Sequence, residues 1–323
     1  MLRKSLTTEV ILVKRILPLL AVCTAAIALF ALSACSPKPP AVPVTVATMV
    51  DSEGAILGKG MILLMEAKGI PVIDKVGFGT PDILRKALVA GEVDLVVDYT
   101  GSGQYYHDDL DTAIFNDPVK GYELIRDVDK KRHDLVWLSP AKANNTESLA
   151  VLRSFGEANG LKTMKDLAAR VNEGKPVKLI CAVGFAETPL GLPGFEKAYG
   201  FKLRKDQLIL LESGNTAQML KALVDGTDGV NVSLVYGTDG ALDKMNVLVL
   251  EDPANVPPVY LPAPIVRGTV LEKNPALKDL FTPFFESLDL VTLQRLNARV
   301  AFDGEDPKEV ARSYLKDRGL LKN

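Results

Sequence analysis

Beyond residue 43, short apolar runs alternate with amphipathic segments along almost the whole chain. "VTVATM" (44–49), "PVIDKVGF" (71–78) and "VDLVV" (93–97) read as strands. A helix is predicted between the first two over about 54–68, where Ile56, Leu57, Ile62, Leu63 and Met65 supply the apolar positions. Thr80-Pro81 predicts an N-cap and first-turn proline for a helix to about Ala90. A helix over 118–132 leads to the strand "LVWLS" (135–139), and "SLAVLR", "VKLICAV", "QLILLE", "GVNVSLVY", "NVLVLED" and "APIVR" continue the strand series. Thr163-Met164-Lys165-Asp166 resembles a capping box, and a helix is expected from about Asn215 to Asp225. The tail is predicted helical over 275–287 and 289–298, with a last helix introduced by Asp306-Pro307-Lys308-Glu309. Repeated strand–helix units with short apolar strands predict an α/β fold with sheets covered by helices.

The first residues break this pattern. Arg3, Lys4, Lys14 and Arg15 precede the apolar stretch "ILPLLAVCTAAIALFAL", which ends at "LSAC" and the proline-rich "SPKPPAVP". A basic head, an apolar middle and small residues in that order form an export signal (1–34), followed by a linker over 35–43. Leu32-Ser33-Ala34-Cys35 looks like a lipobox, in which Cys35 is lipidated and begins the mature chain. A single membrane-spanning anchor is the other reading, because the stretch approaches the ~20 residues that span a bilayer. Either one places the remaining chain in the periplasm or cell envelope, held at the membrane.

Export changes the charge and the cysteine count. Removing the signal takes away a net +3, so the formal charge moves from −2 to near −5. No basic run survives, which argues against nucleic acid as a partner. Cys23 lies in the signal and Cys35 at the anchor, leaving Cys181 alone in the exported body. No disulfide framework is available, and stability must come from packed core.

Catalytic and metal chemistry find little support. The two histidines, His107 and His133, lack metal-site spacing and are expected at the surface; no metal or cofactor is expected. There is no G-x-S-x-G, and Cys181 within an apolar strand makes a poor nucleophile. "GAILGKGM" (54–61) has its glycines too close together for a phosphate loop, and glycine stands where Ser or Thr should follow Lys59. Binding is therefore the leading class. It draws attention to "VVDYTGSGQYY" (96–106), where three of the eight tyrosines gather at the end of a predicted strand, in a glycine-rich loop.

Several stretches together resemble the substrate-binding proteins of osmoprotectant ABC importers, the glycine betaine, choline and carnitine type. They are "DSEGAILGKGMILLMEAKGIPV", "FGTPDILRKALVAGEVDLVVDYTGSG", "PAKANNTESLAV", "GLPGFEKAYGFKL", "VYGTDGAL", "VYLPAPIVR" and the tail through "LQRLNARV". The resemblance implies a two-lobed periplasmic-binding-protein fold of type II, with two crossings and the ligand cleft between the lobes. Lobe one is expected at 44–139 plus 242–323, lobe two at 140–241, with hinges near 139–145 and 237–245. It also implies a monomeric receptor, rather than an enzyme, that delivers a quaternary-ammonium solute to ABC permease subunits. A lipoprotein of the same fold that senses or scaffolds around another small polar solute is the alternative.

By motif match, the resemblance makes Tyr99, Tyr236 and Tyr260 the walls of an aromatic cage for the methylammonium group. Asn145 and Thr238 are expected beside them; Asn144, Asn145 and Thr146 serve either the ligand or the hinge. After "NNT" the family commonly supplies another aromatic, but this chain has Glu147. That carboxylate either attracts the cation or points away, and it would repel a betaine carboxylate. Tyr105 and Tyr106 are open between ligand wall and packing, whereas Tyr199 and Trp137 read as structural.

Overall fold

The computed structural model describes residues 42–212 and 216–322, without the side chain of Asp243. The export-signal region and Cys35 lie outside the described residues. In chain order the strands are β1 (Val44–Met49), β2 (Val72–Gly79), β3 (Leu95–Tyr99), β4 (Leu135–Trp137), β5 (Glu147–Leu152), β6 (Leu179–Ala182), β7 (Leu208–Leu211), β8 (Val232–Tyr236), β9 (Val247–Val249) and β10 (Pro262–Arg267). The predicted apolar runs supply all ten. They divide into two five-stranded sheets, ordered β2-β1-β3-β10-β4 and β7-β6-β8-β5-β9.

The two sheets share one design. In the first, β1 lies parallel between β2 and β3, while β10 runs antiparallel to β3 and β4. In the second, β6 lies parallel between β7 and β8, while β5 runs antiparallel to β8 and β9. A central parallel strand is covered on both faces and therefore reads as an unbroken apolar run. Val44, Val46 and Ala47 in β1 and Leu179, Ile180 and Cys181 in β6 are buried accordingly. Burial pushes the Cys181 thiol up to about 12, which keeps it in the unreactive thiol form.

Helix Ser52–Ala67 starts where Asp51 accepts a hydrogen bond from Gly54 N at 2.6 Å, an N-cap to its first turn. The "GAILGKGM" stretch lies wholly in this helix. A Cβ on Gly60 would stand 2.6 Å from the Phe284 ring, so this glycine permits close helix packing and cradles no phosphate. The capping box at Thr163–Asp166 and the Asp306 cap ahead of Pro307–Asp317 form as predicted. Gly200, with φ of 68°, ends the helix that carries Tyr199, whose hydroxyl donates to Asp252 at the start of the segment after β9.

Two expectations are corrected. The second lobe boundary moves, because β9 pairs with β5 through Ala150–Val249, Val151–Leu248 and Leu152–Val247. Val247–Val249 closes what would otherwise be an open edge of β5 and buries Val247 in the second core. The chain thus passes to the second sheet through 138–146 and returns through 250–261, later than the expected 237–245.

The other correction is His107, which is buried rather than at the surface; His133 alone is exposed. His107 belongs to a cluster around Asp129, whose oxygens accept from Arg85 Nη1 at 2.7 Å and Nη2 at 2.6 Å. Trp137 Nε1 adds a bond at 2.7 Å, and His107 Nε2 lies 2.9 Å away. Burial alone would raise the Asp129 carboxyl, but these donors outweigh it and hold it below the usual range. The ligand atoms of His107, Asp129 and His133 lie within 4.8 Å of one another. Asp129 already serves four donor atoms, so the grouping acts as a packed ion pair behind the first sheet.

Asp129→Ala would leave the Arg85 guanidinium buried without its partner. We expect a loss of about 3–5 kcal/mol in urea unfolding. A change under about 1 kcal/mol would show that water reaches the cluster.

Candidate functional site

Between the two sheets lies a cavity of about 960 Å³. Tyr99, Asn145, Glu147, Tyr236, Thr238 and Tyr260, the six candidates from sequence, all border it. They arrive there from different elements. Tyr99 ends β3, Tyr236 ends β8, Glu147 opens β5, and Tyr260 lies on the return crossing just before β10.

The tyrosines are fixed by their neighbours. Tyr99 donates its hydroxyl to Glu53 Oε1 at 2.9 Å. The Tyr260 hydroxyl accepts from Gln104 Nε2 at 2.8 Å and lies 3.3 Å from the Tyr105 hydroxyl. Its backbone is held by the first crossing, where Tyr260 N donates to Asn144 Oδ1 and Asn145 N donates to Tyr260 O, both at 2.9 Å. Asn145 Oδ1 also accepts from Thr238 N at 3.3 Å, and Thr146 Oγ1 donates to Pro258 O at 2.8 Å. The "NNT" stretch therefore joins the two crossings, while Asn145 also borders the cavity.

The "GSGQYY" stretch forms a tight turn at Thr100–Ser102 and a short helix at Gly103–Tyr106 in place of a loose loop. Its glycines provide space: a Cβ on Gly101 would meet the Tyr260 ring at 2.8 Å, and one on Gly103 would meet Phe115 at 2.7 Å. Tyr105 is 57% exposed and faces the open cavity. Tyr106 also borders the cavity but is held by packing, donating to Asp98 Oδ2 at 2.5 Å with the Arg85 guanidinium 4.4 Å from its ring centre.

Sequence reading did not single out Glu53 or Asn297. Glu53 stands in the first turn of Ser52–Ala67, buried, and accepts from Tyr99 and, at 2.7 Å, from Asn297 Nδ2. The same Nδ2 donates to Thr238 O at 2.9 Å. Desolvation pushes the Glu53 carboxyl up to about 7, opposed by hydrogen bonds from Thr238, Asn297 and Tyr99. The available signal was a carboxylate two residues after an N-cap, in a stretch matched to the family, but it looked like ordinary first-turn chemistry.

Negative groups dominate the wall. Asp51, Glu53, Asp82, Glu147 and Asp239 line the cavity, and no Lys or Arg does so among the described residues. Asp239 accepts from Tyr236 N and Thr216 Oγ1, both at 2.8 Å, and desolvation pushes it up to about 6. Glu147 is paired in register with Tyr236 across β5 and β8, and desolvation pushes it up to about 7.

A family model for the substrate-binding domain of ABC-type glycine betaine transport systems (OpuAC) matches residues 42–317. The chain belongs to this family. It is 42% identical over 286 residues to the glycine betaine-binding protein YehZ of Escherichia coli, covering 88% of this chain and 94% of that protein. A glycine-betaine-binding protein of Pseudomonas aeruginosa is 30% identical over 263 residues, covering 80% and 82% of the two chains. The ligand-free structure of E. coli YehZ superposes with a TM-score of 0.74, covering 87% of this chain and all of that one. The fold is thus that of the two-lobed binding proteins of osmoprotectant ABC importers.

Glu53 gives the site a measurable pH signature. Its folded value lies above its ordinary 4.5, so the stability it contributes is present below pH 4.5 and lost as pH rises through about 7. Measured as urea midpoints, the parent should lose stability relative to Glu53→Gln across that window. A parent that gains on the variant would mean that Glu53 is charged and favourably paired throughout.

Proposed function

We propose that this chain is the extracytoplasmic solute receptor of an ABC importer and binds a small quaternary-ammonium osmoprotectant between its lobes. One observation carries the reading. Tyrosines from the first sheet, the second sheet and the return crossing border a single cavity rich in carboxylates, with no basic side chain among its described lining.

A quaternary ammonium donates no conventional hydrogen bond and spreads its charge over methyl groups. Electron-rich ring faces suit it, each contributing about 0.5–2 kcal/mol when partly desolvated. Tyr99, Tyr236 and Tyr260 are assigned to that cage, with Asn145 and Thr238 holding its polar rim. Relatives named for glycine betaine binding, at 42% and 30% identity, support the ligand class. The partners are then ABC permease subunits, and the receptor acts as a monomer held at the membrane through lipidated Cys35. A ligand touching both lobes favours their closure, the usual transition of this architecture.

Calorimetric titration against glycine betaine, choline, carnitine and proline betaine tests the reading. Changing Tyr99, Tyr236 or Tyr260 to Ala should weaken binding by about 1–2 kcal/mol or more, because ring contact and enclosure are lost together. Phe replacements should cost less, since the ring face survives. Affinities equal to the parent in all three Ala variants would place the ligand elsewhere.

The anchor has its own test. Cys35→Ser should abolish incorporation of a palmitate analogue during growth, and release the protein from membranes on fractionation. Unchanged labelling would remove the lipid anchor from this account.

A further inference from the structure

Of the carboxylates on the cavity wall, Asp82 is exposed and has no hydrogen-bond or ion-pair partner among the described residues; the other four differ in one respect. Asp51 accepts from Gly54 N, Glu53 from Tyr99 and Asn297, and Asp239 from Tyr236 N and Thr216. Glu147 has no hydrogen-bond or ion-pair partner among the described residues, although it opens β5 directly on the cavity. Its position follows from the register. Glu147 pairs with Tyr236 and Ser148 with Val235, which sets the side chain at the cavity end of the β5–β8 ladder.

The titratable groups that its charge reaches come from four elements. They are Tyr236 from β8, Tyr260 from the return crossing, Tyr105 from the short helix after β3, and Cys181 from β6. All four are raised by burial and by the Glu147 charge, so all are neutral near pH 7. Asp239 adds a second negative charge beside Tyr236. A carboxylate set among neutral phenols, with no cation at hand, is the side chain that gains most from a positive ligand.

We propose that Glu147 is the counter-ion of the ligand, and that the receptor takes up a permanently charged ammonium in exchange for the proton on Glu147. The proposal rests on the receptor reading above and adds a selectivity that the cage alone does not supply. Ring faces accept any trimethylammonium head. An ionising carboxylate favours a cation with no carboxylate of its own over a zwitterion such as betaine, whose own negative end it repels.

The linkage has a definite sign. Without a cation, the desolvated Glu147 keeps its proton up to about pH 7. A cation against it favours the charged form and lowers that value. Binding therefore releases a proton below about pH 7, and cation affinity falls by up to about tenfold for each pH unit below it. Above that range Glu147 is already ionised, and affinity should be level.

Choline and its uncharged isostere 3,3-dimethyl-1-butanol separate charge from shape. Calorimetry in two buffers of different ionisation enthalpy, from pH 5.5 to 8.5, counts the protons. With choline we expect release approaching one proton at the acid end and none at the alkaline end; the isostere should release none. Glu147→Gln should remove both the release and the pH dependence. It should also weaken choline about tenfold at pH 8 while binding the isostere at least as well as the parent, which shows that the site is folded.

Choline binding without proton release in the parent would overturn the proposal and leave the receptor reading intact. Release that persists in Glu147→Gln would also overturn it, moving the titration to Glu53 or Asp239. A parent that binds no quaternary ammonium at any pH would defeat the receptor reading itself, and this proposal with it.

Discussion

Buried negative charge without a basic neighbour is the constraint around which the cleft is arranged. Removing a carboxylate from water is costly unless donors or a cation replace the lost hydration. The donors here are neutral and come from separate parts of the chain: Tyr99 at the end of β3, Asn297 near the C-terminus, and Thr216 ahead of β8. Each satisfied carboxylate therefore fixes the position of elements far apart in sequence. A phenol that donates to a carboxylate also has its ring held in place, so the polar network and the aromatic wall are a single construction.

The Asp129 cluster handles the same difficulty in the opposite way. There a guanidinium meets the carboxylate head-on, with two N–H groups on its two oxygens, and Trp137 and His107 complete the shell. Such a site has nothing left to offer a ligand. The cleft carboxylates stay incompletely compensated, and this difference separates a structural acid from one available for recognition. Tyr106 stands between the two regions, with its hydroxyl on Asp98 and its ring against Arg85.

Most strands and the major helices were legible because local signals and burial agreed. Apolar runs of strand length became strands, Asp51 and Asp306 capped helices, and Gly200 ended one. Motif resemblance singled out Tyr99, Tyr236 and Tyr260, a departure from it singled out Glu147, and all four border one cavity. What escaped depends on distant pairing. β9 was placed in the wrong lobe because nothing within Val247–Val249 says which sheet edge is open to it. His107 was misplaced because its partner Asp129 lies 22 residues away on another element. Glu53 and Asn297, 244 residues apart, carry no mark in sequence of their mutual contact.

The loop after β8 touches the first lobe although it leads back into the second. Gln294 Nε2 donates to Gly237 O at 2.8 Å, and a Cβ on Gly240 would stand 2.3 Å from the backbone nitrogen of Ala298. This near contact of two backbones leaves no room for a side chain at Gly240. Helix Leu290–Ala301, remote in sequence from β8, thereby sets how closely the loop after β8 can lie against the first lobe, and a glycine in that loop is matched to the tail of the chain.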